Sequence, residues 1–194
     1  MNRGSGQVRI IGGRLRGRRL PVPEVPGLRP TPDRVRETLF NWLAPHLAGA
    51  RVLDLFAGTG ALGLEALSRG AAALTLVEQH RAAQVTLREN LQRLGLPEVR
   101  LVCAEALTFL ATEAGSYDLI LLDPPFASDL LALALMAIER HGRLAAGGFC
   151  YIELPSDAAI PPLPAGWVRH RSGRAGEVGY HLLHEPKRDL SGHV

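Results

Sequence analysis

Four acidic residues follow successive apolar runs of the chain and have side chains that can take part in chemistry: Asp54, Glu78, Glu105 and Asp123. Short apolar runs of this kind are typical of buried strands in a parallel sheet. The carboxyl ends of such strands meet at one edge of the sheet, which is where open α/β sheets bind their ligands. Carboxylates at that edge accept hydrogen bonds from amines and hydroxyls. The pattern therefore predicts a small-molecule site at this edge.

A glycine-rich turn follows Asp54 and fits two kinds of ligand. Gly58-Thr-Gly-Ala-Leu-Gly63 matches the dinucleotide fingerprint G-x-G-x-x-G, and Glu78 follows Gly58 by 20 positions, the offset of that fingerprint. Gly58 and Gly60 would let backbone amides approach a ligand, with the positive end of a helix behind them. Asp54 would repel a pyrophosphate, whereas it suits the protonated amino group and the sulfonium of S-adenosylmethionine. The turn therefore favours the methyl donor, and Glu78 would accept the ribose hydroxyls of either ligand.

The segment after the fourth apolar run helps to decide between a dinucleotide and S-adenosylmethionine as the ligand. Asp123 is followed by Pro124 and Pro125, which fix φ and end the strand, and then by Phe126. We expect the Pro124 carbonyl to be unpaired and to point outward beside the Asp123 carboxylate. Two acceptors and an adjacent aromatic ring fit a planar ligand with an amino group, such as a nucleobase. A nicotinamide oxidoreductase has no use for this arrangement.

Length and composition indicate one domain of ordinary size. The chain has 194 residues, of which 46% are hydrophobic and 21% are charged, as in typical globular domains. It contains no apolar run near the roughly 20 residues that span a membrane, and its first residues do not resemble a secretory signal. Cys103 and Cys150 lie in apolar runs, so we expect buried, reduced thiols. These features predict a cytoplasmic protein, and the seven histidines lack the spacing of metal ligands.

The N-terminal segment is strongly basic. Residues 1–36 contain nine arginines and two acidic residues, a net charge of +7, and the whole chain carries +3, so the remainder carries −4. Such asymmetry indicates an arm that binds a polyanion, and the alternative is a solvated surface. Two alternating runs, 7–11 and 14–20, flank Gly12-Gly13 and predict a β-hairpin. Arginines on one face of it would lie about 7 Å apart along a strand, close to the spacing of successive phosphates.

From residue 51 onward, strand-like and helix-like runs alternate, which predicts an α/β fold with a parallel sheet covered by helices on both faces. The strand-like runs are 51–55, 73–78, 99–103, 117–122 and 148–154. The helix-like runs are 61–69, 80–94, 105–113 and 129–141. Two last runs, 166–171 and 177–184, predict a terminal hairpin at one edge of the sheet. Ahead of the sheet, Thr31 as a hydroxyl N-cap and Pro32 as the first helical residue predict the start of a helix.

Three motifs, in this order, resemble those of the Rossmann-like S-adenosylmethionine-dependent amino methyltransferases: Asp-Leu-Phe-Ala-Gly-Thr-Gly at 54–60, Val-Glu at 77–78 and Asp-Pro-Pro-Phe at 123–126. The basic segment 9–18 and the segment 28–43 narrow the resemblance to the bacterial 16S ribosomal RNA guanine-N2 methyltransferase family. The resemblance extends to about Leu183. One departure is Glu105, where the family more often has Asp.

The resemblance implies a Rossmann-like class I methyltransferase, with a mostly parallel seven-stranded sheet, helices on both faces and an N-terminal β-hairpin. We expect a basic hairpin arm at 1–27, a methyltransferase domain at 28–186 and a flexible tail at 187–194. The implied activity is methyl transfer from S-adenosylmethionine to the exocyclic N2 of a guanine in 16S rRNA, guanine 966 by resemblance. The implied partner is the small ribosomal subunit, and we expect a monomer that contacts neither membrane nor metal.

The residue patterns and the resemblance together give three sets of candidate site residues. The catalytic set is Asp123, Pro124 and Phe126. The cofactor-binding set is Thr31, Asp54, Phe56, Gly58, Gly60, Glu78 and Glu105. The RNA-binding set is Arg14, Arg16, Arg18, Arg19, Arg29, Arg34 and Pro125.

Three alternatives stay open at this level. Glu105 either accepts from an adenine amino group or is an acidic residue at a helix N-terminus that the helix dipole favours. The amino acceptor is guanine in rRNA by resemblance, but the same platform would serve DNA adenine or cytosine, or a protein glutamine. A chain that binds RNA during ribosome assembly without catalysis is the third alternative.

Overall fold

The computed structural model describes residues 6–23, 25–26, 28, 30–126 and 128–186. Within these ranges the chain forms a two-stranded antiparallel sheet near the N-terminus and a seven-stranded sheet flanked by five α-helices. The predictions for Arg29 and for the tail at 187–194 concern residues outside these ranges. No described helix is both long enough and apolar enough to cross a membrane. The division into segments 1–27 and 28–186 stays a prediction.

The elements follow one another in the order that the sequence predicts. The strands are β1 (Gln7–Arg9), β2 (Arg19–Pro21), β3 (Arg51–Asp54), β4 (Ala73–Glu78), β5 (Arg100–Cys103), β6 (Tyr117–Leu122), β7 (Leu144–Pro155), β8 (Val168–Ala175) and β9 (Val178–His184). The helices are α1 (Asp33–Leu43), α2 (Ala61–Ser68), α3 (Arg81–Leu94), α4 (Ala106–Thr112) and α5 (Leu130–Arg140), with a 3-10 turn at Ala44–His46. Each predicted run from residue 51 onward corresponds to one element, with bounds that differ by a few residues.

The seven strands of the large sheet lie in the order β5-β4-β3-β6-β7-β9-β8. The first five are parallel, and β9 pairs antiparallel with both β7 and β8. The prediction of a mostly parallel seven-stranded sheet with an antiparallel terminal hairpin is therefore confirmed. The chain order reverses between β3 and β6, and such a switch point opens a crevice for a ligand. Asp54 ends β3 and Asp123 follows β6, so both residues stand at this crevice.

The central strands β3, β4, β6 and β7 are largely buried on both faces, which explains why their sequences are mostly apolar. Neighbouring residues of a strand point to opposite faces. Val52 joins the core that α1, α2 and α3 cover, whereas Leu53 joins the core beneath α4 and α5. Because helices pack on both sides, the strand ends at the crevice have fixed positions.

Two local predictions are wrong. Thr31 does not cap α1, which begins at Asp33 without a side-chain hydrogen bond at its N-cap, Pro32. The Thr31 hydroxyl donates instead to a buried carboxylate, which needs a donor more than the exposed helix end does. Cys150 is buried as predicted, but Cys103 is exposed. The cause is its place on β5, the strand at the edge of the sheet, where only one side of the strand is paired.

The predicted N-terminal hairpin is confirmed, but its turn is longer than a Gly-Gly turn. β1 and β2 pair in antiparallel register, and the pairing continues from Ile10 N to Arg18 O at 2.9 Å. The loop between them packs on the end of α2, where Leu15 N donates to Ser68 Oγ at 2.9 Å. At Gly13, with φ of 74°, a Cβ would lie 1.8 Å from the Ser68 carbonyl oxygen. Glycine is therefore required by a close approach to the body rather than by a tight turn.

The buried carboxylate of Glu65, in α2, joins the hairpin loop to two helices. Its two oxygens accept hydrogen bonds from Ile11 N and Gly12 N, both at 2.8 Å. It also forms ion pairs with Arg69 at 2.7 Å and with Arg36 of α1 at 3.5 Å. All of these bonds connect segments that are distant in sequence, except the ion pair with Arg69, which directly follows α2.

Arg36 extends this network toward the crevice. Its guanidinium is fully buried and pairs with Asp33 as well as Glu65. It donates to the carbonyl oxygen of Arg9 at 2.9 Å and to that of Thr31 at 3.2 Å. The Arg36 side chain therefore holds the hairpin, the start of α1 and Thr31 in fixed positions relative to one another.

Replacing Glu65 by glutamine keeps the shape of the side chain but removes the charge opposite buried Arg36. Arg36 then keeps only the exposed Asp33 as an ionic partner, and the glutamine NH₂ faces a backbone N–H where a carboxylate oxygen accepted, so we expect the unfolding free energy to fall by about 3 kcal/mol. Urea titration measures this change. Glu89→Gln is the control, because it breaks an exposed pair with Arg93 at 3.9 Å and should cost less than about 1 kcal/mol. Equal losses for the two variants would contradict the role given to Glu65.

Candidate active site

Asp54 and the glycine turn form one half of the site. Asp54 is 1% exposed, and its Oδ2 accepts from Gly63 N in the first turn of α2 at 2.9 Å. Residue 63 must be small for this approach, since a Cβ there would lie 2.8 Å from two leucine side chains of β4. Gly58 and Gly60 take positive φ angles of 51° and 77°, which glycine adopts without steric cost. The turn therefore keeps its backbone close to the buried carboxylate.

Glu78, at the end of β4, holds the glycine turn in place. Its Oε2 accepts from Gly58 N at 2.9 Å, and its Oε1 accepts from His80 N at 2.6 Å. The side chain is half-buried, and each carboxylate oxygen keeps a lone pair for a further donor. A hydrogen bond from a ribose hydroxyl is therefore compatible with these contacts, and it stays a prediction.

Asp123, Thr31 and Glu153 form the other half of the site. β6 and β7 pair in parallel, in a register that places Asp123 beside Glu153. Thr31 Oγ1 lies 2.9 Å from Glu153 Oε1 and 3.5 Å from Asp123 Oδ2. The Tyr151 hydroxyl donates to the same Glu153 oxygen at 2.8 Å. Glu153 is thus held by two hydroxyls next to the carboxylate that the sequence assigns to catalysis.

A small pocket of about 40 Å³ joins the two halves. Asp54, Phe56 and Gly58 line it from the glycine turn, and Thr31 and Asp123 line it from the opposite side. Asp123 therefore faces the glycine turn across the crevice. The structure brings together five residues that are up to 92 positions apart in the chain.

The residues after Asp123 differ in exposure. Pro124 is buried, Pro125 is exposed and the Phe126 side chain is 44% exposed. The Pro125 carbonyl accepts from Ser128 Oγ at 2.6 Å. The Pro124 carbonyl, by contrast, receives no hydrogen bond from any described residue. An acceptor is therefore available beside Asp123, with an aromatic ring open to solvent close by in the chain.

Three carboxylates dominate the electrostatics of the crevice. Burial, with a smaller contribution from Glu78 and Glu153, raises the pKa of Asp54 to about 7. Burial and the charges of Glu153 and Asp54 raise the pKa of Asp123 well above its usual range. Burial likewise raises the pKa of Glu153, although two hydroxyls donate to it. No described Arg or Lys forms an ion pair with these carboxylates, and no described group of three or more His, Cys, Asp or Glu is placed to hold a metal ion.

Glu105 lies at the N-terminus of α4, in agreement with the second of its two alternatives, and its carboxylate caps the helix. Its carboxylate accepts from Leu107 N at 3.2 Å, from Thr108 N at 2.9 Å and from Thr108 Oγ1 at 2.8 Å. Burial raises the pKa of Glu105, but these hydrogen bonds lower it by more. The structure therefore supports the capping role, and the adenine contact stays a prediction without support from the geometry.

The predicted RNA-binding arginines within the described ranges are all exposed: Arg14, Arg16, Arg18, Arg19 and Arg34. Arg14 approaches Glu98 to 3.5 Å. Arg19 lies in β2 directly opposite Arg9 of β1, a residue that the sequence analysis does not assign to the site. Arg29 lies outside the described residues. The hairpin therefore presents a basic surface of both strands and loop.

Three polar residues at the centre of the structure are absent from the sequence-based sets: Arg36, Glu65 and Glu153. Glu153 has a usable signal, because it is the one acidic residue in the fifth strand-like run and stands near its end, as Asp54 does in the first. Arg36 and Glu65 have none, since charged residues are common in helices and their burial depends on packing.

Comparison with known proteins decides the family. The family model described as Conserved hypothetical protein 95 matches residues 8–184, which include the hairpin and the crevice. The chain belongs to this family. Ribosomal RNA small subunit methyltransferase D of Escherichia coli K12 is 51% identical over 179 residues, 92% of this chain and 90% of that protein. The protein of the same name from Haemophilus influenzae is 39% identical over 181 residues, 91% and 93% of the two chains.

A solved structure gives the same result as these relatives. The Escherichia coli chain described as methyltransferase yhhF superposes with a TM-score of 0.85 at 48% identity, over 94% of this chain and 100% of that one. The resemblance predicted from the motifs and the class I methyltransferase fold are therefore confirmed.

The raised pKa of Asp54 makes the stability of the folded chain depend on pH. Neutral Asp54 stabilises the folded state. This stabilisation is complete below the pKa that Asp54 has in the unfolded chain, and it is lost as the pH rises through about 7. Asp54→Asn is neutral at every pH. From about pH 5 to about pH 8 this variant should gain unfolding free energy relative to the unmodified protein, by up to a few kcal/mol, which urea titrations at the two pH values measure.

Asp118→Asn provides a control, because the pKa of Asp118 is shifted in the opposite direction to that of Asp54. A hydrogen bond from Arg51 lowers the pKa of Asp118, so its contribution is present at neutral pH and is lost as the pH falls through the lowered pKa. The variant should therefore lose stability relative to the unmodified protein mainly above that pKa. An Asp54→Asn variant whose difference from the unmodified protein is the same at both pH values would refute the assignment for Asp54.

Proposed function

We propose that this protein transfers a methyl group from S-adenosylmethionine to the exocyclic N2 of a guanine in 16S rRNA, guanine 966 by family resemblance. The observation that carries the proposal is the position of Asp123 across a pocket from the glycine turn, beside a Pro124 carbonyl that no described residue hydrogen-bonds. One side of this pocket suits a cationic cofactor, and the other offers acceptors to an amine. The names of relatives that align over about nine-tenths of the chain support ribosomal RNA of the small subunit as substrate.

The residues around the glycine turn fit the proposed cofactor, which supplies an electrophilic methyl group on a sulfonium. Buried Asp54 lacks a cationic partner among the described residues and would hold the amino group. Glu78 would accept from the ribose hydroxyls, and Phe56 lines the same pocket. The pocket's 40 Å³ is well below the roughly 300 Å³ of typical small-molecule pockets. Leu28, which packs over Gly58, therefore has to shift when the cofactor binds.

Asp123 and Pro124 position the amine. The exocyclic amine of guanine is a poor nucleophile because its lone pair is delocalised into the ring. Hydrogen bonds from its two N–H groups to the Asp123 carboxylate and the Pro124 carbonyl favour a pyramidal nitrogen with an available lone pair. Near-attack positioning of this kind contributes up to roughly 7–11 kcal/mol to the rate acceleration. Exposed Phe126 stacks on the guanine, which must leave its base stack to enter the crevice.

Asp123 accepts the proton that the nitrogen releases once it is methylated. Its raised pKa makes it a stronger base than an ordinary carboxylate. Thr31 lies between Asp123 and Glu153 and holds both carboxylates in place. Glu153 does not face the base, and it keeps Asp123 basic through its charge. Thr31 and Glu153 are therefore positioning residues for the catalytic carboxylate.

Removal of the Asp123 carboxylate should separate chemistry from cofactor binding. We expect Asp123→Ala to lower methyl incorporation into rRNA by about 10³-fold, since it removes both an acceptor and the base. The Kd for S-adenosylmethionine, measured by calorimetry, should stay within a few-fold. The control is Asp129→Ala, because Asp129 is exposed and its side chain forms no cap on α5. Loss of cofactor binding with normal chemistry in Asp123→Ala would contradict the proposed role.

The acceptor is tested by offering radiolabelled S-adenosylmethionine with pools of rRNA, DNA and protein. We expect label in the RNA of the small subunit, at the N2 of one guanine that is unmethylated in cells lacking this protein. Label in DNA or protein would replace the RNA acceptor by another amine. Cofactor binding without label in any pool would leave a non-catalytic assembly factor.

The arginines of the hairpin loop should contribute attraction to RNA. Arg16→Gln with Arg18→Gln removes two exposed charges, so we expect weaker RNA binding and a logarithmic salt slope that is smaller by about 1.5. Filter binding over a series of salt concentrations measures both. The matched control is Arg93→Gln with Arg140→Gln, which removes two charges from the last turns of α3 and α5. Identical slopes in the two double variants would assign the loop to general surface charge.

A further inference from the structure

A second and larger pocket lies between the hairpin and the start of α1. Its volume is about 340 Å³, which is within the range of small-ligand pockets. Its lining consists of Gln7, Val8, Arg9, Arg19, Pro30, Thr31, Pro32 and Asp33. Pro30 and Thr31 also line the pocket of the glycine turn. The two pockets are therefore neighbours that share one wall, and Thr31 in that wall contacts the proposed catalytic carboxylate.

Arg9 and Arg19 give this pocket its charge. They are opposite each other in the β1–β2 register and both are exposed, whereas Val8 and Leu20 on the other face of the hairpin are buried. Among the described residues neither guanidinium has a carboxylate partner, and the acid in the lining, Asp33, pairs with Arg36. Like charges directly opposite each other on paired strands are unfavourable. An anion placed between the two guanidinium groups would offset that repulsion.

The carboxylates in the pocket of the glycine turn limit which kind of anion can bind between Arg9 and Arg19. The carboxylates of Asp54, Asp123 and Glu153 repel a phosphate from the crevice, so a nucleotide that enters it must leave its phosphate outside. The arginine pair lines the neighbouring pocket, which shares Pro30 and Thr31 with the pocket of the crevice. Arginine is well suited to phosphate because its planar guanidinium can donate two hydrogen bonds. Phosphate contacts fix the register of a nucleic acid rather than read its sequence.

We propose that Arg9 and Arg19 bind the backbone phosphate that adjoins the target guanine and thereby place its base against Asp123. This inference rests on the proposed function and assigns a separate role within the hairpin. The loop arginines attract RNA from a distance, whereas the strand arginines hold one phosphate at a fixed offset from the reacting nitrogen. Loss of the strand pair therefore slows methyl transfer even when all RNA is bound.

The first test is single-turnover methyl transfer with enzyme in saturating excess over small ribosomal subunits that lack this methylation. We expect Arg9→Gln with Arg19→Gln to lower the saturated rate by at least about ten-fold, because near-attack positioning is lost. Arg93→Gln with Arg140→Gln removes the same charge from the last turns of α3 and α5, outside the lining of the pocket, and should stay within about two-fold of the unmodified rate.

Two results would overturn the proposal. A saturated rate that Arg9→Gln with Arg19→Gln leaves unchanged would reduce the pair to general attraction, and an equal loss in the control would reduce it to net charge. Failure of the proposed function itself is distinguishable, because the unmodified protein would then methylate no subunit RNA.

The second test measures whether a phosphate group on a free nucleoside strengthens its binding. Guanosine, guanosine 5′-monophosphate and guanosine 3′-monophosphate are compared as inhibitors of subunit methylation. One of the two monophosphates should inhibit the unmodified protein at a concentration at least about ten-fold lower than guanosine, and its isomer identifies the flanking phosphate. This advantage should disappear in Arg9→Gln with Arg19→Gln and persist in the control. Equal inhibition by all three compounds would overturn the proposal.

Discussion

Three carboxylates without a cationic partner among the described residues, at the ends of β3, β6 and β7, set the chemistry of the crevice. Ionised carboxylates are poorly solvated in a protein interior, so burial raises the pKa values of Asp54, Asp123 and Glu153. A bound cation would offset this cost, which fits the proposed cofactor. In the proposed reaction, Asp123 would accept the proton that the nitrogen releases after it is methylated. In the proposed function, cofactor recognition and proton acceptance would therefore depend on one electrostatic feature.

The buried guanidinium of Arg36 connects this feature to the N-terminal hairpin. Its donors reach the carbonyl oxygens of Arg9 and Thr31, and its charge is balanced by Glu65 and Asp33. The hairpin is therefore part of the architecture of the site and not an independent appendage. A shift of the hairpin would be transmitted to Thr31, and through it to the carboxylates on either side.

Opposite charges on the two sides of Thr31 would orient a nucleotide. The hairpin side carries Arg9 and Arg19, and the crevice side carries Asp54, Asp123 and Glu153. A phosphate is attracted to the first side and repelled from the second, whereas a neutral base with an amino group suits the second. The same charges favour a cationic cofactor in the crevice.

The sequence by itself determined the order of strands and helices, the parallel sheet and the places of Asp54, Glu78 and Asp123, because apolar periodicity and strand-end carboxylates are local patterns. It also indicated the basic hairpin. Only the tertiary structure decided that the Thr31 hydroxyl donates to a carboxylate and does not cap α1. It also decided that Glu105 caps α4 and that Cys103 is exposed. The burial of Arg36, Glu65 and Glu153 was likewise decided by packing. Hydrogen bonds and burial of this kind join residues far apart in the chain, so no local pattern specifies them.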